Sequence, residues 1–169
     1  MKKLNSINFV VFKEDKLYLE DIPISVGINI EDWLKEYCNT PYEFENYSSL
    51  YPESERIKFK NYEKGISIYL EDRIIESINV FPRVWENDSR CYQGDIFIFD
   101  KKLEVPFLSD DIEKYFPGIQ IKPKGYWDRF TAHESVEYPI NDNMVIEISM
   151  SRLPSLVGSI SLKNNVSNL

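Results

Sequence analysis

The chain reads as an α+β protein, mainly antiparallel sheet with two short helices. Three observations predict this. Its apolar content is dominated by isoleucine, tyrosine and phenylalanine, and Ala132 is its only alanine. Alanine is the best helix former, whereas β-branched and aromatic side chains fit strands. ISIYL (66–70) and VIEISM (145–150) alternate apolar with other residues, as strands with one covered face do. Helical spacing with capping signals occurs in two short stretches.

The first helix is expected over Asn29–Cys38. Asn29 can cap it, Glu31 and Asp32 suit its positive start, and Ile30, Trp33, Leu34 and Tyr37 recur on one face. Trp33 is therefore assigned to the core, and Pro41 ends any extension. The second helix is expected over Ser109–Phe116, with Ser109 as cap, Asp110 and Asp111 in the first turn, and Pro117-Gly118 as the stop. Strands are expected at Ile57–Lys60, Gly65–Leu70 and Ile74–Phe81, the last two joined through Glu71-Asp72-Arg73. Later strands are expected at Ile119–Lys122, Ser135–Tyr138, Met144–Met150 and Leu156–Leu162.

Leu17–Tyr37 aligns without a gap on Ile96–Phe116 at an offset of 79, matching Asp21 with Asp100, Val26 with Val105, Asp32 with Asp111 and Lys35 with Lys114. Both read as strand, acidic turn, short return strand and short helix. An internal repeat over about 7–82 and 94–163, related by a pseudo-twofold, is one reading. Coincidence between two common β-turn-β-α patterns is the other. Either way, 169 residues and 20.0 kDa suit a single domain spanning 1–169.

The formal net charge is −8 and the sequence pI about 4.8. That excludes the basic footprint of a nucleic-acid binder and disfavours an anionic membrane surface. The apolar run behind the opening lysines spans only Phe9–Phe12, too short for a signal-peptide core, and no stretch reaches the length of a membrane span. A cytoplasmic protein is expected, and a monomer is favoured. Cys38 and Cys91 have no CxxC spacing and are expected as buried free thiols.

No cofactor, metal site or enzymatic activity is expected. His133 is the only histidine, and no GxSxG nucleophile accompanies it. Asp110, Asp111 and Glu113 cluster at a helix start, where the macrodipole already accounts for them. The six glycines make neither a GxGxxG nor a Walker A loop.

Binding is the function that composition favours. Residues 31–55 hold seven acids (Glu31, Asp32, Glu36, Glu43, Glu45, Glu53, Glu55) against Lys35, a net −6 out of the chain's −8. The same window carries Tyr42, Phe44, Tyr47 and Tyr51. A solvating loop has no need of these aromatics, whereas an interface does. Packing offers a competing account, with Tyr42 and Phe44 turned inward and Glu43 and Glu45 outward. The candidate partner-binding residues are Glu36, Tyr42, Glu43, Phe44, Glu45, Tyr47, Tyr51, Glu53 and Glu55. Trp85 and Trp127 are secondary candidates, as aromatics in polar or glycine-containing segments. The later segment GIQIKPKGYWDRF, in the corresponding place of the second half, is basic instead.

KGISIYLEDRIIESINVFP, followed by CYQGDIFIFDKKLEVPF, resembles a family of small bacterial proteins. The resemblance rests on Gly65, Ile66, Gly94, the strand Ile96–Phe99 and the turn and return strand Asp100–Leu103, and covers roughly residues 15–115. The turn here is Asp-Lys-Lys, where the family tends to carry a glycine. Such proteins are similar to immunity proteins encoded beside polymorphic or contact-dependent growth inhibition toxins. The resemblance implies a non-catalytic cytoplasmic inhibitor of one cognate toxin C-terminal domain. It carries over no binding residues. Many nucleic-acid-attacking toxins are basic, and an acidic inhibitor could steer onto and mask such a surface. The alternative is a structural or adaptor module of a larger bacterial assembly, joined through an exposed sheet edge.

Overall fold

A computed structural model of the chain describes residues 3–46, 49–59, 65–84, 90–119, 135–151 and 156–165. In chain order the elements are β1 (Phe9–Lys13), β2 (Lys16–Leu19), β3 (Ile22–Ile24), α1 (Ile30–Tyr37), β4 (Tyr42–Asn46), β5 (Ser54–Phe59), β6 (Ile66–Glu71) and β7 (Ile74–Val80). There follow β8 (Asp95–Ile98), β9 (Lys101–Lys102), a 3₁₀ turn (Ser109–Asp111), α2 (Ile112–Tyr115), β10 (Ser135–Asn141), β11 (Met144–Met150) and β12 (Val157–Asn164).

The strands form two sheets. One has five strands in the order β3-β2-β1-β8-β9, and the other has seven in the order β10-β11-β12-β7-β6-β5-β4. The β1–β8 pair is parallel, and the other described ladders are antiparallel. The α+β class with sheet dominant is therefore what the chain adopts. The two stretches aligned at an offset of 79 fold into like orders of elements: β2, β3 and α1 in one, and β8, β9, the 3₁₀ turn and α2 in the other.

Alternation explains the layers. β1, β2 and β8 bury Val10, Phe12, Leu17, Leu19, Ile96 and Ile98, while the seven-stranded sheet buries Ile57, Phe59, Ile68, Leu70, Ile75, Ile78, Ile146, Ile148, Ile160 and Leu162. These belong to one continuous apolar cluster. Each such side chain removed from water contributes about 1.5–3 kcal/mol. A bulge between Tyr69 and Leu70 shifts the β6–β7 register, so that Leu70 lies opposite Ile75 and both stay in the core. Gly65, at φ +84°, approaches the Cys91–Tyr92 backbone so closely that a Cβ there would collide with the Tyr92 nitrogen.

α1 forms as its sequence predicts. The Asn29 Oδ1 accepts from the Glu31 and Asp32 amides, and Ile30, Trp33 and Leu34 are buried. The Trp33 indole donates to the Pro23 carbonyl at 2.7 Å, which fixes α1 against β3. The second helix differs from expectation. Ser109 does not cap it: residues 109–111 wind as a 3₁₀ turn, and only a single α turn follows. Neither start has a side-chain cap hydrogen bond. Neither Cys38 nor Cys91 is in a disulfide, and each is half-buried rather than buried. Among the described residues, no helix is long and apolar enough to cross a membrane.

Candidate functional site

The acidic, aromatic stretch folds into the hairpin that ends the seven-stranded sheet among the described residues. β4 pairs antiparallel with β5, placing Tyr42 opposite Phe59, Glu43 opposite Lys58, Phe44 opposite Ile57, Glu45 opposite Arg56 and Asn46 opposite Glu55. Strand alternation thus puts Tyr42 and Phe44 on the face of the buried Ile57 and Phe59, with Glu43 and Glu45 on the other. The rings of Tyr42 and Phe44 meet edge-on, with centroids 5.8 Å apart. Phe44 is half-buried and packs against the core, while Tyr42, on the outermost strand, keeps 41% of its surface exposed.

Two acids of this stretch, Glu45 and Glu55, are ion-paired with cations from outside it. Glu45 accepts from Arg56 at 2.8–2.9 Å and from Lys58 at 3.1 Å. Its carboxyl is held below the usual carboxylate range, first by the Lys58 hydrogen bond and then by that of Arg56. Glu55 meets the Arg73 Nε at 3.3 Å, and Glu31 on α1 meets the same nitrogen at 3.6 Å. Glu36 and Glu53 are exposed, and Glu43 is half-buried. The −6 of the sequence window is therefore partly neutralised by Arg56, Lys58 and Arg73, which lie outside it.

Arg73 organises the region and was not singled out from sequence. It occupies the β6–β7 turn at φ 67°. Its guanidinium carbon sits 3.7 Å from the centroid of the Phe44 ring, within cation–π range. Its Nη1 is buried without a hydrogen-bond partner, an unfavourable desolvation that the Phe44 stack and the two carboxylates offset. The Arg73 carbonyl accepts from the Ile30 amide at 2.9 Å. One residue thus ties the start of α1, β4, β5 and the β6–β7 turn together. Its place in a tight turn was legible, but its partners are brought in by strand register.

The β4–β5 connection carries the most exposed apolar surface. Leu50 is 82% and Tyr51 60% exposed, and with Tyr42 they make three of the five exposed large hydrophobics among the described residues. The others are Ile74 and Leu108. Leu50 was missed because an isolated leucine between serine and tyrosine has no periodic signal. The Asn46 side-chain amide donates to the Pro52 carbonyl at 2.9 Å and closes the base of the connection.

The structure therefore brings Tyr42, Glu43, Phe44, Glu45 and Glu55 together in one hairpin, with Tyr51 and Glu53 in its connection. Glu36 lies on the exposed side of α1, where its hydrogen bond with the Tyr37 phenol raises the phenol's pKa. Tyr47, Trp85, Trp127 and His133 lie outside the described residues, as does most of the basic segment 118–130. Among the described residues, no three histidine, cysteine, aspartate or glutamate side chains gather to hold a metal. Compared with known protein families, curated proteins and solved structures, the chain matches none.

Proposed function

We propose that this chain is a non-catalytic binding protein that recognises a basic protein domain through the β4–β5 hairpin. On the resemblance described above, that domain is the C-terminal domain of a bacterial toxin, and binding neutralises it in the cytoplasm. The observation that carries the binding reading is that one hairpin bears three exposed large apolar side chains, Tyr42 at its open end and Leu50 and Tyr51 in its connection, where Glu53 is exposed too. Tight interfaces set a few large apolar or aromatic anchors inside a polar rim. Acidic rim residues speed encounter with a basic partner and contribute less to holding it.

The test is co-expression with the toxin domain encoded beside this gene. The wild-type chain should protect growth and co-purify with the domain, and the triple variant Tyr42→Ser, Leu50→Ser, Tyr51→Ser should lose both while remaining folded. Failure of the wild-type chain to bind that domain would reject the toxin assignment. A second reading, an adaptor joined by strand addition, draws on the position of β4 at the end of its sheet among the described residues. Under that reading, Glu43→Pro abolishes binding, while removal of the three exposed side chains leaves it intact.

A further inference from the structure

The outward face of the five-stranded sheet carries a surface of a different kind. Strand alternation turns Phe9, Val11, Tyr18, Pro23 and Phe97 away from the core, and all five are half-buried. Pro23 lies opposite Tyr18, Tyr18 opposite Val11 and Val11 opposite Phe97, so one apolar row crosses β3, β2, β1 and β8. Phe9 stands one step along β1, its ring edge-on to Phe97 with centroids 6.3 Å apart. The outward side of a sheet with one covered face is ordinarily polar, and an apolar row rimmed by charge marks an interaction surface.

The rim indicates the occupant. A groove of about 290 Å³ opens over Phe9, Val11 and Tyr18, with Lys13 on one bank and Glu20 and Asp21 on the other. Lys16 lies opposite Lys13, and Asp95 lies opposite Phe9 on the acidic side, where Lys102 pairs with it at 2.8 Å. Glu14 and Asp15 form the turn beyond the lysines. Along β1 and β2, Lys13 and Lys16 thus edge the row at one end and Glu20 and Asp21 edge it at the other, while Lys102 neutralises Asp95.

Consider two such faces stacked about a twofold axis lying along the row. The row meets itself, and each copy's lysines come over the other's Glu20 and Asp21. A twofold axis along the strands would instead set acids over acids. A twofold contact must be self-complementary, and this face is so about the first axis. We infer that it is the contact of a homodimer with a second copy of this chain. Four strands at about 4.8 Å spacing and about four residues at 3.3 Å rise make a patch of roughly 250 Å² on each copy, below the range of stable specific interfaces and in that of weak, transient ones. The formal charge of −8 on each copy opposes approach. The dimer is therefore weak and concentration-dependent.

Sedimentation equilibrium of the full chain, from low micromolar to near-millimolar concentration, tests this. The wild-type chain should pass from monomer to dimer across the series. Lys13→Glu with Lys16→Glu makes both banks acidic, and Glu20→Lys with Asp21→Lys makes both basic. Each double variant alone should stay monomeric, and an equimolar mixture of the two should dimerise. Glu20 also accepts from the Asn8 amide, so Val11→Glu, which leaves that contact in place, supplies an independent monomeric variant. Far-UV circular dichroism and a melting curve establish that each variant is folded. A wild-type chain that stays monomeric throughout overturns the inference, as does a dimer unaffected by Val11→Glu or by either reversal. A mixture that stays monomeric overturns the charge pairing across the contact, and the inference with it. The face lies on the other sheet from the β4–β5 hairpin, so toxin binding should be unchanged in all these variants, and the two proposals fail separately.

Discussion

The two ends of the seven-stranded sheet solve one electrostatic problem with opposite signs. At the β4–β5 end, Glu45 is held between Arg56 and Lys58. At the other end, Lys163 on β12 is held between Glu147 at 2.6 Å and Glu137 at 3.1 Å, while the Ser135 hydroxyl donates to Glu147. The consequences differ because the like charges are arranged differently. Glu137 and Glu147 lie directly opposite each other on β10 and β11, a destabilising arrangement without a cation between them. Arg56 and Lys58 lie two residues apart along one strand, and each keeps about two fifths of its side chain exposed. They can turn to water if their shared acid is lost. Lys163 is therefore the more consequential of the two central groups, although the β4–β5 end looks more charged in the sequence.

This comparison can be broken by substitution. The largest effect is expected from Arg73→Ala, which uncovers Phe44 and leaves Glu31 and Glu55 without their shared cation. A loss of about 2 kcal/mol is expected in urea denaturation at neutral pH, with Arg73→Lys recovering only part of it because the planar guanidinium stack is gone. Lys163→Met should cost about 1–2 kcal/mol by leaving the two facing carboxylates together. Glu45→Gln should give the smallest change, since its partners are exposed. An equal or larger loss for Glu45→Gln would overturn the ordering.

The pH dependence should separate the two ends. The folded-state pKa of Glu45 is depressed by Lys58 and then Arg56. Its contribution is present above the ordinary carboxylate pKa and is lost as pH falls through the depressed folded value. Burial alone would lower the pKa of Lys163, but its hydrogen bonds to Glu147 and Glu137 outweigh burial and raise it. Its contribution is present below the ordinary lysine pKa and is lost as pH rises through the raised folded value. The stability gap between wild type and Glu45→Gln should therefore close in strong acid, and that for Lys163→Met in strong alkali. Denaturation curves across a pH series read both gaps, and closure at the same extreme would contradict the assignments.

The elements most legible in the sequence were those whose signals are local. Alternation in ISIYL and VIEISM located β6 and β11, and the Asn29 cap with Ile30, Trp33 and Leu34 located α1. Ser109 misled because the acids after it wind as a 3₁₀ turn, which moves the short α turn on to Ile112. The candidate site was legible in its composition but not in its electrostatics. Glu45 and Glu55 looked available for a partner, yet Arg56, Lys58 and Arg73 reach them through strand pairing and a turn. Phe44, proposed as a contact, is half-buried beneath Arg73. The apolar row on the five-stranded sheet was illegible for a similar reason: the β1–β2 hairpin sets Tyr18 opposite Val11, but Phe97 joins Phe9 and Val11 only through the long-range parallel β1–β8 pairing.

The central claim is that the β4–β5 hairpin and its neighbouring acids face a basic partner. The measurement that tests it most directly is the association rate of the proposed partner domain with wild type and with the Glu36→Lys, Glu43→Lys, Glu53→Lys variant, over a salt series. Glu45 and Glu55 are left alone because they are already paired with Arg56, Lys58 and Arg73. At low salt the variant should associate about 3–10-fold more slowly, with the gap closing as salt rises and the dissociation rate little changed. Equal association rates at every salt concentration would contradict the placement of the binding surface.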